Sequence, residues 1–264
     1  MSFVTFADQL LLTRQTGAGR AGGLIVVEQV DSTQALARRV IDEYVRDGSL
    51  PPATDVVAWR QTSGRGRHQR TWSSPPGYGV YATLVRVIQA KDLQKLPLLG
   101  AVALADAVNT YLDGRCRLKW PNDLVVSQSK LGGLIIETIS QEENDVVVSF
   151  GFGVNYSPDL QGLAQRRATS LSHEIDGEAP SLASFTADLL AALGAALGED
   201  SPQSQVVERY KSLVIHEPGD EMRCQLEEGL VEGRFLGFDE HGFLRLQVGS
   251  EERVLTSGEI LTGG

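Results

Sequence analysis

The chain has 264 residues, 42% of them hydrophobic, which suffices for one sizeable domain and a small one. Its formal net charge is −10, whereas a stand-alone DNA-binding protein is usually basic because phosphate contacts dominate its affinity. Two distant cysteines and four scattered histidines show no zinc spacing. No apolar run reaches the roughly 20 residues that span a bilayer, and residues 1–9 lack a secretory signal. We therefore expect a cytoplasmic protein without a nucleic-acid or membrane partner.

The first half of the chain predicts strands and helices in turn. Residues 1–23 form a weakly patterned N-terminal extension, with a short helix around Leu10 that the glycines of 17–23 end. Residues 24–30 are apolar and β-branched, as is typical of a strand, and Asp31 or Ser32 can cap the amphipathic helix that follows. Further strands are predicted at 55–61 and 79–87, and a buried helix at 98–112.

The second half predicts four strands and then two helices. The strands are 117–120, 124–126, 130–139 and 145–154, with the acidic turn 141–144 joining the last two as a hairpin. The helices are 183–197 and 204–213. Because strands and helices do not alternate strictly, we expect an α+β fold with a central mixed or antiparallel sheet flanked by helices.

The sequence Glu217-Pro218-Gly219 indicates a domain boundary. Beyond it the pattern changes to short strands at 221–226, 230–238, 243–248 and 253–257, with a hairpin turn at 239–242. We therefore predict a main domain over residues 24–216 and a small C-terminal β-barrel over residues 217–264.

The stretch Gly64-Arg65-Gly66-Arg67-His68-Gln69-Arg70, here called the Gly-Arg loop, places three arginines in an acidic protein. Its glycines let the backbone approach a ligand closely, and guanidinium groups match carboxylate or phosphate oxygens. We interpret it as a mobile loop that closes over an anionic ligand. A solvated basic turn or an RNA contact is also consistent with these residues alone, although no aromatic stacking platform accompanies them.

Three further segments combine residues that suit a polar ligand. Asp31-Ser32-Thr33-Gln34 stands at a strand-to-helix turn, where it can bind a ligand or simply cap the helix. Lys119-Trp120-Pro121-Asn122-Asp123 puts a lysine at a strand end, either in a site or with its stem on the tryptophan. Residues 130–137 hold a Gly-Gly pair inside an apolar strand, which indicates a close ligand or a crowded sheet contact. The glycine patterns of P-loops and dinucleotide-binding turns are absent from the sequence.

Four motifs, in this order, resemble the signature of biotin protein ligases. They are Gly64-Arg65-Gly66-Arg67 with Arg70 and Trp72, then Lys119-Trp120-Pro121-Asn122-Asp123, Lys130-Leu131-Gly132-Gly133 and Gly151-Phe152-Gly153-Val154-Asn155. The similarity runs from about residue 24 to the C-terminus and is nearest to the monofunctional bacterial type, because 23 residues leave no room for the DNA-binding domain of bifunctional members. It implies a class II synthetase-like catalytic domain and an SH3-like barrel.

The resemblance implies an ATP-dependent ligase. In this family ATP and biotin form biotinoyl-5′-AMP, and a lysine of a biotin carboxyl carrier domain then attacks the acyl group. The acceptor would be the carrier domain of acetyl-CoA or acyl-CoA carboxylase or of pyruvate carboxylase. Mg²⁺ is expected with ATP, held mainly by phosphates and water rather than by side chains. A homodimer is left open, since some relatives pair through a sheet edge and others are monomeric.

The resemblance also assigns roles to residues, with Lys119, Arg65 and Arg67 as the catalytic ones. Lys119 would neutralise charge between the biotin carboxylate and the α-phosphate. The residues expected to contact biotin are Ser32, Thr33, Gln61, Gly64, Arg65, Lys119, Gly132 and Gly133. The residues expected to contact ATP are Arg67, Arg70, Trp72, Asn122 and Asn155. Gln34 stands where the family usually has asparagine, which leaves a contact by residue 34 open.

Two other functions share parts of this pattern. A lipoate or octanoyl transferase has a related fold, but the full Gly-Arg loop and the Lys-Trp-Pro-Asn-Asp segment disfavour it. A biotin-sensing regulator would need a DNA-binding domain, which the sequence does not show.

Overall fold

The computed structural model describes residues 1–16, 22–157 and 167–261, so residues 17–21 of the predicted glycine break lie outside the described residues. The helices of this part are α1 (Phe3–Thr16), α2 (Thr33–Arg46), α3 (Leu96–Leu112), α4 (Leu171–Glu174), α5 (Leu182–Gly198) and α6 (Gln203–Leu213). Two 3-10 helices span Arg67–Gln69 and Ala90–Lys95. Of these helices, none is both long enough and apolar enough to cross a membrane.

Seven strands form the central sheet. They are β1 (Gly23–Val30), β2 (Thr54–Gln61), β3 (Gly79–Gln89), β4 (Arg117–Lys119), β5 (Asp123–Val126), β6 (Ser129–Glu142) and β7 (Asp145–Asn155). Their spatial order is β1-β2-β3-β7-β6-β5-β4. Only the β1–β2 pair is parallel, and α2 makes the crossover between its strands. The predicted central mixed sheet is therefore confirmed.

The two faces of the sheet are covered by different helices. On β7, Val147 faces a cluster with Ile41 of α2, whereas Val146 and Val148 face the larger core that α3 and α5 help to build. Because successive side chains of a strand point to opposite faces, a strand covered on both sides is apolar throughout. This explains why β7 is buried along nearly its whole length.

The helices that bury most apolar surface are α3 and α5. Helix α3 packs against α5, α6 and the sheet, which fits its nearly uniform apolar surface. Helix α1 packs on α5 and buries Phe6 and Leu10 in the same core. The ring of Phe6 lies 5.1 Å from that of Trp59. The N-terminal helix is therefore longer than the short helix that we predicted around Leu10.

A second sheet follows at the C-terminus and is called the C-terminal sheet. Its strands are β8 (Glu221–Leu226), β9 (Gly229–Phe238), β10 (Leu244–Val248), β11 (Glu251–Leu255) and β12 (Glu259–Leu261). It is antiparallel, in the order β11-β10-β9-β8-β12. The carboxylate of Asp239 accepts hydrogen bonds from the N–H groups of His241 (2.9 Å) and Phe243 (2.8 Å), which closes the predicted turn.

The predicted fold class is confirmed, and the differences concern the ends of elements and a few short elements that were not predicted. Strand β4 ends at Lys119, so that Trp120 lies outside it, and β12 was not predicted at all. The apolar residues of the C-terminal sheet belong to the same core as those of the central sheet, and Tyr210 of α6 contacts Phe238 of β9 edge to face at 5.6 Å. The division into domains at residue 217 stays a prediction.

Candidate functional site

A cavity of about 670 Å³ lies beside the end of β7, within the usual size range of small-molecule sites. Its walls come from the start of α2, the Gly-Arg loop, the turn before β5, the start of β6 and strand β12. Thus segments that are distant in the chain meet at one place. The predicted site residues that line it are Ser32, Thr33, Gln61, Arg65, Arg67, Arg70, Trp72, Lys119, Asn122, Gly133 and Asn155.

Two predicted residues, Gly64 and Gly132, are not among the described residues that line the cavity. A Cβ atom on Gly64 would lie 2.4 Å from the carbonyl oxygen of Trp72, and one on Gly132 would lie 2.7 Å from that of Gly153. Both glycines therefore permit close contact between backbones. Their contact with a ligand stays a prediction.

A chain of hydrogen bonds joins the start of α2 to Trp72, two residues after the Gly-Arg loop. The hydroxyl of Thr83 donates to that of Thr33 (2.9 Å), and the amide oxygen of Gln61 accepts from the Thr33 N–H (2.8 Å). The Gln61 amide then donates to the Ser74 hydroxyl (2.8 Å), which donates to the carbonyl of Trp72 (3.2 Å). This chain fixes one wall of the cavity.

Ser32 occupies the N-cap position of α2, but its side chain makes no capping hydrogen bond. Its hydroxyl is buried, with 2% of the residue exposed, and lines the cavity. Asp31, the other predicted cap, instead forms a two-point ion pair with Arg39 at 3.0 Å. The hydrogen bond from Arg39 lowers the pKa of Asp31 to about 2. Thus Ser32 is left to face the cavity.

The Gly-Arg loop folds into a compact turn. A β-bridge joins Arg65 to Thr71, and the N–H of Gly66 donates to the carbonyl of Arg70 (2.8 Å). The 3-10 helix Arg67–Gln69 forms the tip. The segment is thus a loop with one 3-10 turn at its tip, enclosed by the bridge between Arg65 and Thr71, and its mobility stays a prediction.

The arginines at the tip contact the C-terminal sheet. One guanidinium nitrogen of Arg67 donates to the carbonyl of Gly258 (3.0 Å) and to the side-chain oxygen of Asn122 (3.2 Å). Arg70 forms an ion pair with Glu259 at the start of β12. Burial lowers the pKa of Arg67, while Asp123 and Glu259 oppose that shift. The loop is therefore held over the cavity from the side of the C-terminal sheet.

The third arginine, Arg65, points to the central sheet. One of its guanidinium nitrogens lies 3.5 Å from a carboxylate oxygen of Glu137 on β6. The side chain remains 54% exposed, so this ion pair is accessible to water and weak. Arg65 is thus free to exchange this partner for another anion.

The indole of Trp72 forms one wall of the cavity. A Cβ atom on Gly153 would lie 2.5 Å from this ring, so only glycine lets the ring sit against β7. The ammonium of Lys130 lies 5.5 Å from the ring centroid, within cation–π range. The same ammonium is 2.6 Å from Asp123. The ring is therefore fixed from two sides.

Lys119 extends into the cavity from the end of β4. Within the described ranges its ammonium has neither a hydrogen bond nor an ion pair shorter than 4 Å. Burial lowers its pKa, Lys130 and Arg70 lower it further, and Asp123 and Glu259 oppose the shift. An anion beside this ammonium would offset the cost of burying its charge.

Two asparagines connect the walls. The amide of Asn122 accepts from Arg67 and donates to the carbonyl of Leu134 on β6. The amide of Asn155 donates to the carbonyl of Thr169 at 2.9 Å. Both side chains thus hold neighbouring backbone segments together, and their predicted contacts with ATP stay predictions.

The side-chain amide of Gln34 is buried at the cavity without a hydrogen-bond partner among the described residues. The residue is 3% exposed, and neither its amide oxygen nor its amide nitrogen has a hydrogen-bond partner in the part of the chain that the structure describes. A Cβ atom on Gly151 would lie 2.8 Å from this side chain, so Gln34 fits because residue 151 is glycine. A buried amide without partners is costly.

A family model described as the biotin/lipoate A/B protein ligase family matches residues 26–155. The biotin–[acetyl-CoA-carboxylase] ligase of Mycobacterium tuberculosis (strain ATCC 25618 / H37Rv) is 30% identical, over 96% of this chain and 92% of that protein. The chain belongs to the biotin protein ligase family. Another member, the bifunctional ligase/repressor BirA of Bacillus subtilis (strain 168), is 30% identical over 91% of this chain and 74% of its own length.

A solved structure of a biotin protein ligase has the same fold. The enzyme from Aquifex aeolicus, in complex with biotin and ATP, superposes with a TM-score of 0.72 and is 25% identical. The match covers 90% of this chain and 97% of that chain, so it includes the C-terminal sheet as well as the central one.

Many residues that line the cavity were not among the predicted site residues, and two of them, Gln34 and Glu259, bear directly on how the cavity works. Gln34 was left open because of its departure from asparagine, although its place beside Ser32 and Thr33 was a usable signal. Nothing in the sequence indicated a role for Glu259, because this residue forms an ion pair with Arg70, which is 189 positions away in the chain. Only the folded chain brings these two residues to the same cavity.

Proposed function

We propose that the protein is an ATP-dependent biotin–protein ligase. It would activate biotin to biotinoyl-5′-AMP and transfer the biotinoyl group to a lysine of a carrier domain. The observation that carries this proposal is the convergence of the arginine loop, Lys119 and the buried polar start of α2 on one cavity. These groups match an anionic reaction centre with a polar recognition site beside it.

The start of α2 supplies the polar end of the cavity. The buried hydroxyl of Ser32 and the unpartnered amide of Gln34 offer both donors and acceptors. A ureido ring carries two N–H donors and one carbonyl acceptor, so it satisfies both kinds of group. We assign the biotin ring to this end, and the free amide of Gln34 becomes one of its hydrogen-bonding partners.

The cationic end of the cavity suits the first chemical step. The biotin carboxylate attacks the α-phosphorus, and the bond to the β-phosphate oxygen breaks so that pyrophosphate leaves with the electron pair. Two anions must approach each other, and a cation between them removes the repulsion. Lys119 has this role in the proposal, with Arg65 and Arg67 on the loop beside it.

In the second step the lysine amine of the carrier attacks the acyl carbon, AMP leaves, and the amine gives up a proton to solvent. The mixed anhydride must be kept from water until the carrier arrives. The Gly-Arg loop, held by Glu259 and Gly258, supplies that cover. Trp72 and Arg70 would contact the nucleotide during this interval.

Mg²⁺ is expected with ATP. Among the described residues there is no cluster of three or more Asp, Glu, His or Cys side chains that could hold a metal. The carboxylates at the cavity, Asp123 and Glu259, already pair with Lys130 and Arg70. This donor set fits an ion that arrives with the phosphates, so phosphate oxygens and water would be its ligands.

The partner we propose is the biotin carboxyl carrier domain of a carboxylase. The names of relatives such as the Mycobacterium tuberculosis ligase point to acetyl-CoA carboxylase. An acyl-CoA carboxylase or a pyruvate carboxylase as acceptor remains a prediction from the resemblance, and so does a homodimer.

Exchange of labelled pyrophosphate into ATP tests the proposal, because the label enters ATP only when an adenylate forms reversibly. We expect exchange that depends on biotin and is absent with lipoate, with octanoate or without any acid. Exchange with lipoate but not with biotin would contradict the proposal and favour a lipoate ligase of related fold.

A further inference from the structure

Three residues after α6 run along the free edge of β4. The structure places residues 214–216, here called the linker segment, between α6 and the C-terminal sheet. Val214 forms a parallel β-bridge with Leu118, and the N–H of Ile215 donates to the carbonyl of Leu118 at 2.9 Å. The strand that carries Lys119 thus has a partner on each edge, with β5 on the other side.

His216 extends this pairing by one residue. Its ring nitrogen Nε2 lies 3.2 Å from the backbone nitrogen of Trp120 and accepts its N–H. In a strand, the backbone groups of alternate residues point to opposite edges. The groups of Leu118 and Trp120 therefore face the linker segment, and those of Lys119 face β5. The backbone on both sides of Lys119 is held by the linker segment.

The ring of His216 is itself fixed in place. It packs edge-on against Phe235 of the C-terminal sheet, with centroids 6.0 Å apart. Burial lowers the pKa of His216 to about 4, and the nearby charge of Lys119 adds to this shift, while Asp220 opposes it. A ring that stays neutral keeps Nε2 free to accept, with its proton on Nδ1.

We propose that His216 is a positioning residue for the adenylation step: by accepting the Trp120 N–H, it fixes the peptide after Lys119 and aims the lysine into the cavity. This inference rests on the proposed ligase function. It also gives the C-terminal sheet a part in the reaction, because Phe235 of that sheet sets the angle of the His216 ring.

Variants of His216 test the inference in the full chain by biotin-dependent pyrophosphate exchange. His216→Leu removes the acceptor, and we expect kcat to fall about 10- to 100-fold with KM for biotin within about threefold, as for a small misplacement of a reacting group. His216→Gln keeps an acceptor at a similar reach, and we expect kcat within about threefold of wild type. This split between the two variants is not expected from a purely structural role.

His241→Leu is the matched control. His241 also joins the C-terminal sheet to α6, through Gln203 at 3.0 Å, but it does not contact the segment around Lys119. We expect its kcat to be unchanged. If kcat falls equally in His216→Leu and His241→Leu, the cause is a general destabilisation of this region and the inference is overturned. Equal falls of kcat in His216→Leu and His216→Gln would also overturn it.

A second measurement does not depend on turnover. Long-range proton–nitrogen NMR spectra of the ¹⁵N-labelled protein at pH 7 report the tautomer of each histidine. We expect His216 to be neutral with Nε2 unprotonated. A proton on Nε2 would overturn the inference. Wild-type protein without biotin-dependent exchange would overturn the proposed function and, with it, the role of His216 in that reaction, even if the hydrogen bond is present.

Discussion

Lys119 is a half-buried cation whose side chain lacks an anionic partner among the described residues, in a cavity that also holds Lys130 and Arg70. Lys130 and Arg70 already pair with Asp123 and Glu259, whereas the partial burial of the Lys119 ammonium costs free energy until an anion arrives. A carboxylate and a triphosphate supply that negative charge. Burial is the main cause of the lowered pKa of Lys119, and an anion beside the ammonium would raise that pKa again.

Replacing Lys119 by alanine should separate binding from chemistry. We expect biotin-dependent pyrophosphate exchange to fall by at least about 100-fold, because a charge-stabilising group of the transition state is lost. Biotin binding, measured by calorimetry, should change little, since the ring is assigned to the start of α2. Lys211→Ala is the control, because Lys211 lies on α6 and pairs with Glu208. Unchanged exchange in Lys119→Ala would contradict the role of Lys119.

Replacing Gly153 by alanine should displace Trp72. The new Cβ would lie 2.5 Å from the indole, and relief of such overpacking costs about 1–3 kcal/mol. We expect KM for ATP to rise by about 5- to 150-fold, the equivalent of that energy. Gly198→Ala is the matched control, because no atom lies within 4 Å of its new Cβ. A normal KM for ATP in Gly153→Ala would contradict the assignment of Trp72 to the nucleotide.

The motifs in the sequence named most of the residues that line the cavity, because a ligand site needs special residue types such as glycine pairs and clustered arginines. They did not show which backbone or side-chain groups are already paired. Gln61 uses both its amide atoms within the protein, whereas Gln34 uses neither. This difference depends on three-dimensional neighbours and could not be predicted from residue type.

Among the elements, the Gly-Arg loop and strand β12 form a pair. Arg70 forms an ion pair with Glu259, and Arg67 donates a hydrogen bond to the carbonyl of Gly258. Phosphate groups are stronger partners for guanidinium groups than a single half-exposed carboxylate is. We infer that Glu259 holds the loop when the nucleotide does not, and that the C-terminal sheet thereby influences loop opening.

Glu259→Gln should loosen the loop. We expect the rate of trypsin cleavage after the arginines of residues 65–70 to rise up to about fivefold, since an exposed ion pair contributes up to about 1 kcal/mol. Glu252→Gln removes an ion pair with Arg245 between β10 and β11, at the edge of the same sheet opposite to β12, and should leave cleavage unchanged. Equal cleavage of wild type and Glu259→Gln without ligand would contradict this contact.

The sequence predicted most helices and strands, because their apolar patterns extend over many residues. It missed the one-turn helix α4, strand β12 and the two 3-10 helices. A strand of three residues shows too little alternation to be recognised, and β12 exists because β8 offers it a free edge. The bridge between Arg65 and Thr71 likewise depends on contacts of the loop with the rest of the protein.

At the scale of the whole molecule, one core joins the two sheets, and His216 lies where they meet. In an unfolded chain a histidine has a pKa of about 6.5. In the folded protein, burial lowers the pKa of His216 to about 4. The contribution of His216 to stability is therefore complete above pH 6.5 and is lost as the pH falls towards 4.

The free energy of unfolding should reflect this difference. We expect the wild type to lose up to about 3 kcal/mol more than His216→Gln between pH 6.5 and pH 4. Urea unfolding at a series of pH values measures both proteins, and carboxylates that titrate in this range cancel in the comparison. Parallel pH profiles would contradict a buried neutral His216.

The central claim is that this cavity makes an acyl-adenylate of biotin and delivers it to a protein lysine. Mass spectrometry of a biotin carboxyl carrier domain, incubated with the protein, ATP, Mg²⁺ and biotin, tests it most directly. The account predicts one added biotinoyl group, on one lysine of the carrier, only when ATP and biotin are both present, and none with Lys119→Ala. An unmodified carrier after incubation with active wild-type protein, or an added lipoyl or octanoyl group when those acids replace biotin, would contradict it.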